Sequence, residues 1–390
     1  MTRPTLTLTE GAGPELTRLT IAEYEALRNL NIVEVVPTLE THWYEVSAGR
    51  KIGAVSVGEL EVVVRPKITD LNRLIFLLGY SVHRDLWGDD RVHLTKADDL
   101  LPALAEAFSR LASRATEQGL LQGYRTVADT LPVVRGRMLV GEQVTRRFGL
   151  PIPLAVEYDD FTSDITENQL LLAATLRMLA VPGISTSARQ RLQRMHLAMA
   201  EVSGPARGSL PAWHATRLNT RYHDALHLAE IVLSAQSFEQ RSGDLVVTGF
   251  MFDMWRVFED FVCTALSEAL SGHFATQHRL HLDEADRVAM RPDLVWFGAG
   301  RQVRAVIDAK YKAERPDGFP DADLYQMLAY CTALELPRGH LIYAKGNEPE
   351  RTHVVRGSGV TIHCHAVDLS EEPSVLLTRI HDIAAAIGEL

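Results

Sequence analysis

The sequence predicts an α+β protein in three parts: a β-rich amino-terminal unit over residues 1–95, a mostly helical middle region over 96–240, and a carboxy-terminal domain over 241–390 with a mixed sheet flanked by helices. Three observations predict it. Short apolar runs with a period of two crowd the first part, helical apolar spacing recurs through the second, and the two periods alternate in the third.

Taken in order, the runs over 32–36, 43–46, 55–57 and 60–65 read as strands, and 71–80 follows with helical spacing. Amphipathic helices are expected over 100–118, 168–179, 188–201 and 216–235. They are interrupted at 202–211, where Gly204, Pro205, Gly208 and Pro211 mark a loop. Ser242-Gly243-Asp244 marks the start of the last part. Beyond it, 250–262 reads as a helix, and 293–297 and 303–310 as strands folded into a hairpin by Gly298-Ala299-Gly300. A helix over 324–330, strands over 339–343 and 359–363, and a closing helix over 374–390 packed across that sheet complete the chain.

Composition narrows the function. The 390 residues suffice for two or three compact units, and 46% hydrophobic with 23% charged residues supports ordinary buried cores. The net charge of −10 is unusual for a chain that grips DNA alone, because duplex affinity rests largely on counterion release from phosphates. Weak autonomous DNA binding is expected. Arg135 and Arg137, with Arg146 and Arg147, read as a solvated surface rather than a backbone clamp. Cys263, Cys331 and Cys364 are too widely spaced for a disulfide framework or a zinc knuckle. Neither His363 and His365 nor the trio His273, His278 and His281 has zinc-ligand spacing. The first thirty residues carry no basic-then-apolar leader and no apolar run reaches membrane-spanning length, so a cytoplasmic protein with no membrane partner is expected.

The chemistry concentrates near Arg291-Pro292-Asp293 and Asp308-Ala309-Lys310. A period of two puts Asp308 and Lys310 on one side of their strand, and the hairpin would bring Asp293 to them. Charges set among Ile307, Ala309 and Tyr311 are costly unless they serve a purpose. Asp293, Asp308 and the Ala309 carbonyl are hard oxygen donors of the kind Mg²⁺ takes, and Lys310 would orient or deprotonate a water or steady a pentavalent phosphorus. Upstream, Glu259 or Asp260 on the 250–262 helix could face the same place. Downstream, Gln326 and Tyr330, at i and i+4, share a helix face and could position a phosphate or the lysine.

This order of Glu helix, Asp strand, Asp-x-Lys strand and Gln-x-x-x-Tyr helix resembles the PD-(D/E)XK nuclease superfamily in its RecB-like branch. Further motifs narrow the likeness. Val62-Val63-Val64-Arg65-Pro66-Lys67-Ile68 with Asn72 to Tyr80, Arg135-Gly136-Arg137, Glu157-Tyr158-Asp159-Asp160-Phe161-Thr162 and Asp164-Ile165-Thr166-Glu167-Asn168-Gln169-Leu170 resemble, in order, the McrC family. The resemblance implies a PD-(D/E)XK domain at the carboxy terminus of an endonuclease subunit in a modification-dependent restriction system. It implies metal held by Asp293, Asp308, Ala309 and Glu259, with Mn²⁺ able to replace Mg²⁺, and a catalytic set of Asp293, Asp308, Lys310, Glu259, Gln326 and Tyr330. It also implies a McrB-like AAA+ GTPase or ATPase ring that this chain stimulates and that delivers modified double-stranded DNA. The chain contains no Gly-x-x-x-x-Gly-Lys-[Ser/Thr] loop, in keeping with a motor on another polypeptide. Arg65 and Lys67 are either structural or part of the interface with that ring. Two alternatives are a non-catalytic activator of an NTPase ring and a free-standing RecB-like nuclease.

Overall fold

The computed structural model describes residues 4–68, 70–80, 100–148, 150, 152–205, 210–242, 245–298, 300–311, 321–344 and 351–388. Residues 206–209, 243, 244 and 299, which carry part of the expected loop, boundary and turn, lie outside them. The fold is α+β, and the chain divides into two compact units, Met1–Leu100 with Ala235–Leu390, and Leu101–Ser234.

This division differs from the expected three parts, and the reason is a shared sheet. In the first unit a five-stranded sheet runs in the order Thr5–Thr9, Leu60–Arg65, Lys51–Val57, Leu245–Asp253, Gln236–Ser242. The first pair is parallel and the rest antiparallel. The expected boundary near 240 therefore cuts a hairpin whose second strand hydrogen-bonds to the strand Lys51–Val57. Apolar periodicity marks a strand but not its partner across nearly two hundred residues. Gly53 and Gly249 make the contact possible: both have positive φ, and a Cβ on either would stand 2.5 or 2.4 Å from the opposing carbonyl oxygen.

The same unit holds a six-stranded mixed sheet in the order His273–Thr276, Leu294–Phe297, Val303–Lys310, Arg338–Ala344, Thr361–Val367, Arg351–Val354. Val303–Lys310, Arg338–Ala344 and Thr361–Val367 are parallel to one another, and the outer strands are antiparallel to their neighbours. Parallel strands need crossovers, and the helix Asp321–Ala333 supplies the first. Its apolar side, Met327 and Cys331, packs into a core with Val295, Val306, Leu341 and Cys364. Met254–Ala269 lies against the Val303–Lys310 strand and against the closing helix Pro373–Gly388.

One expected helix starts late. Phe250 to Asp253 finish a strand instead, because Asp253 turns the chain and caps the helix Met254–Ala269 by accepting the Trp255 N–H at 3.2 Å. Of the helices expected in the middle of the chain, Leu100–Thr116, Thr166–Leu179 and Thr186–Ala198 fall close to expectation, whereas the one expected from 216 begins only at His223 and runs to Ser234, after a 3-10 turn at Thr220–Tyr222. The second unit also contains a three-stranded sheet, Gly123–Leu131, Leu154–Thr162 and Arg137–Met138, where mostly helix was expected. Arg135 pairs with Asp160 and Arg137 with Glu157, each across the sheet, so this basic stretch is internally neutralised.

Candidate active site

Antiparallel pairing of Leu294 with Ile307 places Asp293, one residue before its strand, level with Asp308. Both acids are buried, at 5% and 2% exposure. The Asp293 carboxylate is aimed by two donors: the Ala309 N–H at 2.8 Å and Gln277 Nε2 at 3.0 Å. Pro292 ahead of it removes a competing N–H and stiffens the approach. Asp308 lies against the ammonium of Lys310, two residues along the same strand face. That ammonium also donates to Gln326 Oε1 at 2.9 Å. Gln326 Nε2 donates in turn to Tyr330 OH at 2.7 Å, and Tyr330 OH to the Arg291 carbonyl at 3.2 Å. A continuous relay thus runs from Asp308 through Lys310 and the downstream helix back to the residue two before Asp293.

Glu259 and Asp260 both border a cavity beside Asp293, and of the two Glu259 is the one hydrogen-bonded into the cluster. It is 8% exposed and accepts Gln277 Nε2, the same nitrogen that bonds Asp293, whereas Asp260 is exposed. All the expected side chains, Asp293, Asp308, Lys310, Glu259, Gln326 and Tyr330, therefore belong to one connected cluster, with the Ala309 backbone inside it. That cavity measures about 610 Å³ and is bordered as well by Cys263, Thr276, Gln277 and Asp293.

Electrostatics set this place apart from an ordinary ion pair. Burial first, then the neighbouring Asp308 and Glu259, push the Asp293 carboxyl up to about 8. Burial also raises Asp308, against the opposing pull of Lys310, and raises Glu259, with Asp260 and Asp308 adding to the effect. Three acids share one ammonium where water is scarce, so the cluster favours taking up positive charge. Among the described residues, no three His, Cys, Asp or Glu side chains are already disposed as a metal cage. The donor set nonetheless fits Mg²⁺, which takes one or two protein carboxylates and keeps its remaining positions for water and phosphate.

Two residues escaped the sequence reading. Gln277, which ties Glu259 to Asp293, sits in a short connection with a positive φ of 49°, and no local pattern distinguishes it from a solvated glutamine. Asp323 is buried and accepts the Tyr343 hydroxyl at 3.1 Å; its signal was limited to an acid in the first turn of a helix, where acids are common. His363 and His365 lie two apart on the strand Thr361–Val367. With His340 they form a stack of near-parallel rings, His340 Nδ1 standing 3.1 Å from His365 Nε2. His340 pairs with Ile307, the neighbour of Asp308, so the stack occupies the opposite sheet face from Asp308. No helix among the described residues is long and apolar enough to cross a membrane.

The fold and this cluster define a mixed α+β protein with a buried, acid-rich site at the edge of a hairpin. The chain belongs to the family of McrBC 5-methylcytosine restriction system components, whose model matches residues 46–344. Nothing matches among curated proteins. Among solved structures, the chain is similar in fold to a chain of the refined half-complex from the tetradecameric assembly of Thermococcus gammatolerans McrB AAA+ hexamers with bound McrC. The TM-score is 0.59 at 15% identity, over 98% of this chain and 100% of that one. A chain of the cryo-EM structure of the Thermococcus gammatolerans McrBC complex matches at 17% identity over 69% of this chain and 89% of that one, with a TM-score of 0.38.

Proposed function

We propose that this chain is the Mg²⁺-dependent endodeoxyribonuclease subunit of a McrBC-like restriction system, acting with a McrB-like AAA+ ring that it stimulates and that brings it double-stranded DNA. The observation that carries the reading is the convergence of Asp293, Asp308 and Lys310 at the edge of one hairpin, with Lys310 held between Asp308 and Gln326. Asp293, Asp308, the Ala309 carbonyl and Glu259 would hold the ion. When bound, Mg²⁺ supplies acidification of a water and neutralisation of charge on the phosphate.

The remaining work falls to the side chains. Lys310, its ammonium fixed by two acceptors, offers its third N–H to the attacking water or to a phosphate oxygen. Water adds to phosphorus, the P–O bond to the leaving sugar oxygen breaks, and that oxygen takes up a proton, so the products are a phosphomonoester and an alcohol. Gln326 and Tyr330 act through Lys310, holding its ammonium at the site. The net charge of −10 supports a subunit that relies on a partner for its hold on DNA. The test is cutting of methylated plasmid by the purified chain with and without the AAA+ protein, nucleotide and Mg²⁺. Cutting that needs all three supports the reading. Cutting without partner or nucleotide would make it a free-standing nuclease, and no cutting in any mixture would leave an activator.

A further inference from the structure

Glu10, Lys67 and Tyr311 meet where the amino-terminal sheet touches the end of the Asp308 strand. Tyr311, the residue after Lys310, is buried, and its hydroxyl donates to Glu10 Oε2 at 2.9 Å. The same Glu10 oxygen accepts the Lys67 N–H at 3.3 Å. The Lys67 ammonium stands 4.6 Å from the centre of the Tyr311 ring, within cation–π range. On another side Tyr311 packs against Phe258, at 6.0 Å between ring centres, and Phe258 immediately precedes Glu259. Tyr311 is therefore clasped by the amino-terminal sheet while it follows Lys310 directly in the chain and packs on Phe258, the residue before Glu259.

From this juxtaposition the geometry points to Glu10 and Lys67 as positioning residues for the nuclease site: through Tyr311 they set the Lys310 strand end against the Glu259 helix. This accounts for the Arg65-Pro66-Lys67 stretch, whose role the sequence left open between structure and interface. Pro66 ends the strand Leu60–Arg65, and the turn there presents the Lys67 N–H and side chain to Glu10 and Tyr311. Glu10 is well placed for such work, because it follows the strand Thr5–Thr9 and its own N–H donates to the Arg65 carbonyl at 2.9 Å, so sheet and clasp are locked together. The alternative for Lys67, an exposed cation that contacts a phosphate, makes a different prediction about how its loss would register.

The inference rests on the nuclease reading, and the experiment separates the two. Plasmid cutting in Mg²⁺ with the AAA+ partner is measured for the full chain and for Glu10→Ala, Glu10→Gln, Lys67→Ala, Lys67→Arg and Tyr311→Phe, alongside thermal midpoints. Small misplacements of catalytic groups cost turnover steeply. Glu10→Ala, Lys67→Ala and Tyr311→Phe should each lower kcat roughly tenfold at unchanged KM for DNA. Glu10→Gln keeps an acceptor and Lys67→Arg keeps a cation over the ring, so both should restore most of the loss. Tyr311→Phe removes one hydroxyl and keeps the packing, so it tests the clasp even if an alanine variant folds poorly. A wild-type chain that does not cut overturns the nuclease reading. A wild-type chain that cuts while Tyr311→Phe and Glu10→Ala keep full kcat overturns the clasp. So does a Lys67→Ala effect confined to KM with a flatter salt dependence, which would make Lys67 a phosphate contact.

Discussion

The Asp293 carboxylate accepts the backbone N–H of Ala309, the residue between Asp308 and Lys310, at 2.8 Å. One oxygen of one acid is thereby spent on fixing the hairpin, and its other oxygen is turned by Gln277 toward Glu259. The arrangement is costly without a cation to offset it: desolvated acids crowd together with a single ammonium among them.

That cost has a pH signature. An Asp293 carboxyl held up to about 8, against an ordinary 3.8, is protonated in the folded chain over a range where the unfolded chain has lost its proton. The metal-free protein therefore loses stability from this group as pH rises from about 4, and the loss is complete above about 8. A divalent cation would replace the proton, so the rise in thermal midpoint on adding Mn²⁺ should be small at pH 6 and larger at pH 8.5. The double variant Asp293→Asn, Asp308→Asn should show no rise at either pH. A metal-induced shift that ignores pH, or that survives in the double variant, would count against the acids as the ion's seat.

Gly339 sets how closely the Gln326–Tyr330 helix approaches the sheet. A Cβ there would stand 2.5 Å from Met327 Sδ and 2.6 Å from Cys331 Sγ. Gly339→Ala must push the helix Asp321–Ala333 outward or distort both side chains, a destabilisation of about 1–3 kcal/mol. Gln326 rides on that helix, so the hold on Lys310 should loosen and cutting should slow more than the lost stability alone explains. Urea denaturation together with a cutting assay on fully folded protein decides it; unchanged values for both would show that the sulfur side chains simply swing aside.

The division of the chain can be tested by cutting it. The strand Leu245–Asp253 pairs on one edge with Lys51–Val57, and Val247, Phe250, Met251 and Phe252 are buried. Residues 241–390 made alone would expose that edge and those side chains, so the fragment should be insoluble or lack a cooperative melt, and co-expression with residues 1–100 should recover both. A fragment 241–390 that melts cooperatively on its own would overturn the shared-sheet account of the unit.

The sequence carried the local features well, because they are local. Strands such as Leu60–Arg65 and helices such as Leu71–Tyr80 follow from the period of their apolar residues. Asp308 and Lys310 sharing a face follows from strand geometry, and the turn brings Asp293 level with them. What was not legible depends on distant partners. Nothing in the segment from Gly123 to Thr162 shows a sheet, since its strands are mostly half-buried or exposed and lack a clean apolar alternation. Nothing near Gln277 says that its amide will tie Glu259 to Asp293. The helix reading that ran through Phe250 to Asp253 failed because an apolar run entering a helix looks the same as one leaving a strand; the cap at Asp253 decides between them.

The most direct measurement is cutting of methylated plasmid by Asp308→Ala and Lys310→Ala chains, each assembled with the AAA+ partner and Mg²⁺, with NTP hydrolysis followed in the same tubes. Neither variant should cut, while stimulation of hydrolysis should stay close to that of the unaltered chain. Cutting at the unaltered rate by either variant would contradict the assignment of Asp308 and Lys310 to phosphodiester hydrolysis.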